Sequence, residues 1–366
     1  MRVLFTGGGT GGHLYPAISI AQALPEQTEI LFVGTQDRME ADIIPDAGYR
    51  IAFVSAKPLV RRISFGMLAS LWASAIGIVQ SLRIAARFRP DMVIATGGYV
   101  CFPVVVAVWI RKILRLGRCA IALVEPNAQP GITTRALIPL CDEVWGAFAP
   151  PSAHRFVKTG VPIRASVRVL PPRNEALERL GMSGYRNTLL VVGGSLGARK
   201  INDAILGLVG AHGVPDGWQI MLVTGKSDFQ RVNTVLHTNT SVRGVPYLAD
   251  IADAYAAADL VVARSGASTL AELAMAALPA ILVPYPHAAD DHQTANAVAF
   301  AASGAAVVLS DADCTPQGLG AVLERLLFEG EFAKMQTAAR RSAPADPLGA
   351  ILARIDALCG RTGASR

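Results

Sequence analysis

Short, wholly apolar runs alternate with helix-like segments along this chain, and the pattern occurs twice. Apolar runs of this length are typical of parallel strands buried on both faces. The predicted strands of the first half are R-V-L-F-T, T-E-I-L-F-V-G, I-A-F-V-S, D-M-V-I-A-T, C-A-I-A-L-V and D-E-V-W-G, with helices from about Pro16 and over about Phe65 to Phe88. Those of the second half are T-L-L-V-V-G, Q-I-M-L-V-T-G, V-R-G-V-P, D-L-V-V-A, A-I-L-V-P and A-A-V-V-L. Alternating strands and helices predict an α/β fold with one doubly wound parallel sheet per half.

The restart of the pattern sets the expected domain boundaries. Gly160-Val161-Pro162 is the predicted linker. We expect a first domain over residues 1–163 and a second over 164–344. The segment 345–366 holds a last helix, about Leu348 to Cys359, which we expect to pack back on the first domain.

Three glycine-rich loops follow predicted strands: G-G-G-T-G-G-H from Gly7, G-G-Y from Gly97 and G-G-S-L-G-A-R from Gly193. Glycine lets the backbone approach phosphate or sugar oxygens. Gly7, Gly9 and Gly12 even satisfy the dinucleotide pattern G-x-G-x-x-G. The acid that this pattern needs at the end of the second strand is missing, since that strand reads F-V-G-T. A nicotinamide-dependent dehydrogenase is therefore disfavoured.

The segment 264–296 carries the most chemistry. It opens after the predicted strand 260–263 with a small-residue turn, and Ser268-Thr269 are expected to cap a helix starting near Leu270. A helix N-terminus after a strand and a tight turn attracts anions. Glu272, expected on the first helical turn, suits a pair of ribose hydroxyls. A polar loop follows the next strand and contains Asp290, Asp291, His292, Gln293 and Asn296. Residues suited to phosphate, ribose and sugar in one segment predict a nucleotide-sugar pocket. The alternative is an ordinary strand–helix–strand unit without a ligand.

Composition narrows the class of protein. Hydrophobic residues make up 52% and charged residues 17% of the 366 positions. The five cysteines are scattered, which favours a reducing compartment over a disulfide framework or a metal site. The chain starts at once with a strand, so we expect no signal peptide, and we expect no apolar run long enough to span a bilayer.

The net charge of +6 is concentrated in the first half, where residues 1–163 hold 16 Lys and Arg against 10 Asp and Glu. Residues 57–118 contain ten basic residues and a single acidic one, Asp91, and large apolar side chains are interleaved with the basic residues. Those basic residues are Lys57, Arg61, Arg62, Arg83, Arg87, Arg89, Arg111, Lys112, Arg115 and Arg118. Bases beside apolar groups are attracted to an anionic membrane surface. The alternative is a solvated rim of two amphipathic helices. Nucleic acid is disfavoured, because the apolar residues would have no role there.

Together these motifs resemble the MurG family, whose members transfer N-acetylglucosamine from UDP-GlcNAc to the lipid-linked muramoyl-peptide of bacterial cell-wall synthesis. The resemblance covers nearly the whole chain. Besides the loops and the segment above, it rests on T-x-D-R-M-E-A-D from Thr35, Glu125 with Asn127, and G-x-P-[IV]-R ending at Arg164. It implies the GT-B architecture, in which two Rossmann-like doubly wound domains flank a cleft.

The resemblance also implies roles for single residues. The expected donor contacts are Arg164 and Ser195 near the diphosphate, the Leu248 backbone at the uracil, Ala267, Ser268, Thr269, Leu270, Ala271 and Glu272 at diphosphate and ribose, and His292 and Gln293 at the GlcNAc hydroxyls. Thr10, Gly11, Gly12 and Asn127 are expected to close on the sugar from the first domain. Expected partners are UDP-GlcNAc as donor, the polyprenyl-diphosphate-linked muramoyl-peptide and the anionic inner-membrane surface, reached from the cytoplasm. No cofactor and no metal are expected.

The sequence shows no obvious nucleophile, so we expect a direct, inverting displacement in which a base takes the proton of the acceptor hydroxyl. His13 is the first candidate for that base and Glu125 the second, while His13 as a phosphate ligand stays open. Several positions depart from the family pattern: Val124 and Pro126 in its H-E-Q-N, Val161 in its G-N-P-V-R, and Thr134 and Ala277 elsewhere. The alternative is therefore a related UDP-sugar transferase, or a UDP-sugar-binding paralogue, with a different acceptor.

Overall fold

A computed structural model describes the chain except residues 10, 59–64, 150–154, 195–196, 237–238, 249, 345 and 364–366, and it gives no side chains for residues 65, 66, 68 and 361–363. The chain divides into two compact units. The first comprises Met1–Arg164 with Asp346–Arg366, and the second comprises Ala165–Ala345. Each expected domain boundary thus lies one residue before the observed one.

The first unit contains a parallel sheet of seven strands. Its strands are β1 (Arg2–Thr6), β2 (Glu29–Gly34), β3 (Ile51–Phe53), β4 (Met92–Ala95), β5 (Ala120–Val124), β6 (Glu143–Gly146) and β7 (Phe156–Lys158). Their order is β3-β2-β1-β4-β5-β6-β7, and every pairing is parallel. The edge strand β7 was not predicted, because F-V-K lacks the apolar run that marks the other strands.

Helices cover both faces of this sheet. They are α1 (Gly11–Ala23), α2 (Glu40–Asp46), α3 (Phe65–Phe88), α4 (Cys101–Ile113), α5 (Ile132–Leu137) and, from the end of the chain, α15 (Pro347–Gly363). Successive strand residues face opposite sides, so Val3 and Phe5 of β1 pack with α1 and α15 while Leu4 packs with α4. Leu348, Ile351, Ile355 and Leu358 form one apolar stripe of α15 that is buried in this core.

The second unit contains a parallel sheet of six strands. They are β8 (Asn187–Val192), β9 (Trp218–Val223), β10 (Val242–Val245), β11 (Leu260–Ala263), β12 (Ala280–Leu282) and β13 (Ala306–Val308), in the order β10-β9-β8-β11-β12-β13. Its helices are α6 (Ala165–Arg168), α7 (Arg173–Arg179), α8 (Arg199–His212), α9 (Phe229–Leu236), α10 (Ala252–Ala257), α11 (Ala267–Met275), α12 (His292–Ala301), α13 (Pro316–Phe328) and α14 (Glu331–Ser342). The expected doubly wound sheet in each half is confirmed.

The strand orders indicate at which edge of each sheet a ligand is expected to bind. In both sheets the strand order reverses beside the first strand, between β1 and β4 in one unit and between β8 and β11 in the other. Open parallel sheets bind ligands outside the carboxyl ends of the strands at this switch point. The four loops that leave these strands there begin at Gly7, Thr96, Gly193 and Arg264.

Four expectations from the sequence were wrong. The first helix starts at Gly11, five residues before Pro16, and α11 starts at Ala267, with Gly266 and not Ser268 or Thr269 in the capping position. Glu272 therefore lies on the second helical turn. Finally, no segment was expected to be long and apolar enough to cross a bilayer, but Ala69–Phe88 of α3 is. Its mean hydropathy is 1.3, and 22% of its most apolar stretch is buried. One such helix is weak evidence by itself, and α3 packs along α4.

Candidate functional site

Two helix N-termini flank the switch point of the second unit. Helix α8 begins after the glycine loop that leaves β8, and α11 begins after the turn that leaves β11. Val192 and Ala263, the last residues of these strands, are paired neighbours, so the segments that lead to both helices leave the same part of the sheet edge. The first N–H groups of a helix have no intrahelical acceptor, and the helix dipole adds positive charge there. This edge of the second unit is suited to a diphosphate.

The start of α11 decides which groups are presented. The N–H of Leu270 already donates to the carbonyl of Gly266 at 3.0 Å. By helix geometry, the N–H groups of Ala267, Ser268 and Thr269 are left without an intrahelical acceptor. All three residues are half-buried, whereas the Leu270 side chain is part of the core.

Glu272 lies one turn further along and is buried, with 5% of its surface exposed. Its Oε2 accepts a hydrogen bond from the hydroxyl of Tyr255 at 3.0 Å. Tyr255, on α10, is itself 2% exposed. The carboxylate is therefore held on a rigid element by a second buried side chain.

The loop before α12 is tied to the turn before α11. The hydroxyl of Ser265, which is fully buried, donates to the carbonyl of Gln293 at 2.8 Å, and the amide of Asn296 donates to the carbonyl of Ser265 at 3.3 Å. The side-chain Oε1 of Gln293 accepts from the N–H of Tyr285 at 3.0 Å. This bond directs the Nε2 donors of Gln293 away from the Tyr285 backbone. His292 begins α12, and its Nδ1 lies 2.7 Å from the carbonyl of Ala289.

Two other predicted donor residues lie outside these helices. Leu248 is half-buried and follows β10, next to Tyr247, whose ring lies 5.4 Å from the Lys226 ammonium. Arg164 is exposed and ends the first part of the first unit. Thr10 and Ser195, both predicted to bind substrate, lie outside the described residues.

In the first unit, two glycine loops meet at the switch point between β1 and β4. His13, on the first turn of α1, has its Nδ1 2.9 Å from the carbonyl oxygen of Thr96. A carbonyl only accepts, so Nδ1 carries the proton and Nε2 is the basic nitrogen of the ring. A Cβ on Gly97 would lie 2.5 Å from this Nδ1, so only glycine leaves room for the imidazole.

A buried carboxylate supports the first glycine loop from below. Glu40 is 1% exposed, and its Oε2 accepts from the N–H of Gly9 at 3.1 Å while its Oε1 accepts from the hydroxyl of Thr35 at 2.7 Å. The N–H of Gly8 donates to the carbonyl of Gly97 at 3.4 Å. With these two donors used inside the protein, Gly11, Gly12 and His13 on the first turn of α1 are the N–H groups that suit a ligand.

Glu125 and Asn127 follow β5, the strand beside β4. Glu125 is 2% exposed, and its Oε1 accepts from both the backbone N–H and the side-chain amide of Asn127, at 2.8 and 2.9 Å. The carboxylate thus orients the Asn127 amide. This geometry favours His13 over Glu125 as the group that accepts a proton from a ligand.

The thiol nearest to this site is not a nucleophile. Cys101 begins α4, and its single S–H is shared between the carbonyls of Thr6 and Gly97, at 3.2 and 3.1 Å. Burial raises its pKa to about 12, so it is protonated at neutral pH. Among the described residues, no group of three or more His, Cys, Asp or Glu side chains is placed to hold a metal ion.

Of two cavities in the first unit, the smaller one borders the candidate site and the larger one does not. One of about 450 Å³ borders the first glycine loop at Gly9 and is lined by residues 36–39, 41 and 42. A larger one, of about 890 Å³, lies at the opposite edge of the same sheet, beside Lys112, Arg115, Arg118 and Arg155. The strand order and the helix N-termini, and not cavity size, therefore identify the candidate site.

Two supporting residues were not predicted from the sequence: Tyr255, the partner of Glu272, and Glu40, which supports the glycine loop. Tyr255 stands in the small-residue run A-D-A-Y-A-A-A-D, where a large hydroxyl-bearing side chain is conspicuous. Glu40 lies within the motif T-x-D-R-M-E-A-D from Thr35. Neither signal tells which group the side chain binds.

Comparison with known proteins agrees with this geometry. Residues 3–145 match the glycosyltransferase family 28 N-terminal domain, and residues 188–347 match the glycosyltransferase family 28 C-terminal domain. Together these two matches cover most of the chain.

Two bacterial relatives carry the name UDP-N-acetylglucosamine–N-acetylmuramyl-(pentapeptide) pyrophosphoryl-undecaprenol N-acetylglucosamine transferase. The protein from Desulforamulus reducens is 38% identical over 349 residues, which cover 91% of this chain and 92% of that protein. The protein from Desulfitobacterium hafniense is 39% identical over 367 residues, covering 96% and 98%. Among solved structures, that of Acinetobacter baumannii MurG is similar with a TM-score of 0.79 and 26% identity, covering 97% of this chain and 99% of that one.

Proposed function

This chain belongs to the MurG family within glycosyltransferase family 28, and we propose that it moves GlcNAc from UDP-GlcNAc to the 4-hydroxyl of a lipid-linked MurNAc-pentapeptide. The product is the disaccharide precursor of peptidoglycan. The fold is the two-domain, Rossmann-like GT-B fold of that family.

One observation of the structure supports the donor assignment most. The N-termini of α8 and α11 start from neighbouring strands, and the buried Glu272 lies one turn beyond one of them. The helix ends suit the diphosphate, and the carboxylate suits the ribose hydroxyls. As UDP leaves, negative charge grows on the β-phosphate oxygen, where the N–H groups of Ala267, Ser268 and Thr269 stabilise it.

The sugar is the proposed ligand of Gln293 and His292. Because the Oε1 of Gln293 is engaged by the N–H of Tyr285, its Nε2 group offers donors to the GlcNAc hydroxyl oxygens. Leu248 is proposed at the uracil through its backbone, and Arg164 and Ser195 near the diphosphate. Thr10, Gly11, Gly12 and Asn127 are proposed to contact the sugar from the first unit.

The reaction proposed is a direct displacement with inversion. The acceptor oxygen attacks the anomeric carbon, the bond to the UDP oxygen breaks, and that electron pair leaves with UDP. The acceptor proton moves to Nε2 of His13, since the Thr96 carbonyl holds the Nδ1–H tautomer. Glu125 is the second candidate for the base, although its Oε1 already accepts two hydrogen bonds from Asn127. No step of this reaction requires a cofactor.

The deciding experiment incubates the protein with UDP-GlcNAc and lipid-linked muramoyl-peptide and follows UDP release and disaccharide formation. We expect both, and we expect His13→Ala to lower turnover by about 10²–10⁴-fold. UDP release only with another acceptor would establish a related transferase instead, and UDP-GlcNAc binding without any turnover would establish a binding paralogue. Normal turnover in both His13→Ala and Glu125→Ala would refute the assignment of the base.

Glu272 has its own test. A carboxylate that accepts from ribose hydroxyls contributes roughly 1.5–3 kcal/mol per bond. Glu272→Ala should therefore weaken UDP and UDP-GlcNAc alike, by about tenfold or more. Unchanged UDP affinity with a lower melting temperature would mean that Glu272 only stabilises the fold.

We also propose that the first unit binds the cytoplasmic membrane surface peripherally, where a lipid-linked acceptor is found. Large apolar side chains are exposed on α3 and at the end of α4, among them Trp72 at 70%, Ile113 at 56% and Leu114 at 60%. Arg83 and Arg87 on α3 and the basic residues near the end of α4 accompany them. Each basic residue near an anionic surface contributes about 1 kcal/mol. Arg61 and Arg62, predicted as part of this surface, lie outside the described residues.

Liposome sedimentation tests this proposal. Binding should increase with the anionic lipid fraction and decrease with salt. Replacing Arg83 and Arg87 by Glu should weaken it while UDP affinity stays unchanged. The matched control replaces Arg340 and Arg341, exposed on α14 of the second unit, with the same charge change. Equal binding to anionic and neutral liposomes at low salt would refute the proposal.

A further inference from the structure

Tyr255 and Glu272 form a buried pair between two helices of the second unit. The Tyr255 hydroxyl donates to Oε2 of Glu272 at 3.0 Å, and the two residues are 2% and 5% exposed. Tyr255 lies on α10, immediately before β11, and Glu272 lies on α11, immediately after β11. The strand at the switch point is therefore bracketed by the two partners.

A buried carboxylate needs hydrogen-bond donors, and it needs them in fixed positions if it is to bind a ligand selectively. A carboxylate can accept about four hydrogen bonds through its two oxygens. The phenol ring of Tyr255 packs in the core and cannot turn easily, so its hydroxyl holds Oε2 at one point. The hydroxyl thus restrains the position of Oε2 before any nucleotide arrives.

We propose that Tyr255 is a positioning residue for nucleotide binding, whose hydroxyl orients Glu272 so that the carboxylate can accept from both the 2′- and 3′-hydroxyls of the ribose. This inference rests on the proposed function, because it assumes that Glu272 binds the ribose of UDP. It adds a specificity: Tyr255 makes the site distinguish a ribonucleoside diphosphate from its 2′-deoxy counterpart. A carboxylate that is free to rotate accepts from one hydroxyl nearly as well and loses this distinction.

Calorimetry with UDP and with 2′-deoxy-UDP, on the whole chain, tests the inference. The wild type should prefer UDP by about tenfold or more, which corresponds to one hydrogen bond to a charged group. Tyr255→Phe retains the ring and removes only the hydroxyl. It should weaken UDP by about tenfold and 2′-deoxy-UDP by less, so that the preference falls to about threefold or below. Tyr185→Phe removes a fully exposed hydroxyl of the same unit and should change neither affinity.

A second variant tests whether Tyr255 acts through Glu272. If it does, adding Tyr255→Phe to Glu272→Gln should change UDP affinity by less than about twofold, because coupled residues are not additive. Unchanged UDP affinity in Tyr255→Phe, or equal weakening of both nucleotides, would overturn the inference and leave the proposed function intact. A wild type that binds UDP but does not prefer it over 2′-deoxy-UDP would also overturn it. A wild type that binds no UDP would overturn the proposed function as well.

Discussion

Gly97 allows the sharpest test of the site in the first unit, because its missing side chain leaves space for the proposed base. Its φ is +103°, and a Cβ there would lie 2.5 Å from Nδ1 and 2.7 Å from Cε1 of His13. Gly97→Ala therefore adds two separate costs. The backbone conformation costs an L-residue about 1–2 kcal/mol, and the imidazole must move away from the new methyl group.

Moving the imidazole breaks its bond to the carbonyl of Thr96, 2.9 Å from Nδ1, which costs about 0.5–1.5 kcal/mol. The larger effect is on catalysis, since misplacing a reacting group by about 1 Å can lower turnover by about 10²-fold. UDP affinity should stay unchanged, because neither Gly97 nor His13 is among the proposed nucleotide contacts.

Gly48 provides the matched control. Its φ is +85°, and a Cβ there would meet no atom within 4 Å. Gly48→Ala should lower the melting temperature by about 2–8 °C, as about 1–2 kcal/mol does in a unit of this size, and leave turnover normal. Gly97→Ala should lower it at least as much and also lose turnover with UDP-GlcNAc and lipid-linked acceptor. Equal turnover in the two variants would refute the reasoning about His13.

Three further predictions concern stability. Ala277, which follows α11, has a φ of +53°, and the N–H of the next residue, Leu278, donates to the carbonyl of Leu273 at 3.0 Å. Ala277→Gly should raise the melting temperature by about 1–3 °C, because relief of left-handed strain exceeds the added freedom of glycine in the unfolded chain. A lower melting temperature would contradict this. Arg354 of α15 donates hydrogen bonds to Glu143, whose side chain is 9% exposed, and Arg354→Ala should lower the free energy of unfolding in urea by about 3 kcal/mol. Arg50→Ala breaks an ion pair with Glu29 whose side chains are 69% and 49% exposed, and it should lower that free energy by less than about 1 kcal/mol. Equal losses in the two variants would refute the role of burial. Burial raises the pKa of the Cys101 and Cys141 thiols to about 12, above the ordinary value of about 8.5, so the free energy of unfolding that they contribute is complete below about pH 8.5 and is lost as the pH rises towards the folded pKa. In the Cys101→Ala, Cys141→Ala double variant, the free energy of unfolding should decline less steeply between about pH 9 and 11. A slope identical to that of the wild type would exclude the thiols as the cause of the decline.

The sequence determined the family and the architecture of this protein. Alternating apolar runs predicted both parallel sheets, and the glycine loops with the segment 264–296 predicted a nucleotide-sugar enzyme. The matches to family 28 and to MurG relatives confirm the family, the GT-B fold and the enzyme class. The roles of single site residues, His13 and Glu125 included, stay predictions.

The starts of α1 and α11 were missed for a common reason. Local rules placed the first helix at Pro16 and a cap at Ser268-Thr269, since proline and hydroxyl side chains favour helix starts. In the structure the backbone of Gly11 and of Ala267 is already helical. Both helices leave strands whose ends are fixed by their neighbours in the sheet, and such tertiary constraints override weak local propensities.

Only the tertiary structure decided which polar groups meet. His13 finds the carbonyl of Thr96 83 residues away, and Glu40 finds the N–H of Gly9 31 residues away. Apolar periodicity records which face of an element is buried, because burial depends on the residue itself. Apolar periodicity does not indicate which group a polar side chain will bond, because that partner depends on the strand order. The sequence therefore shows which polar residues follow the strands, whereas the contacts that these residues make are determined by the fold.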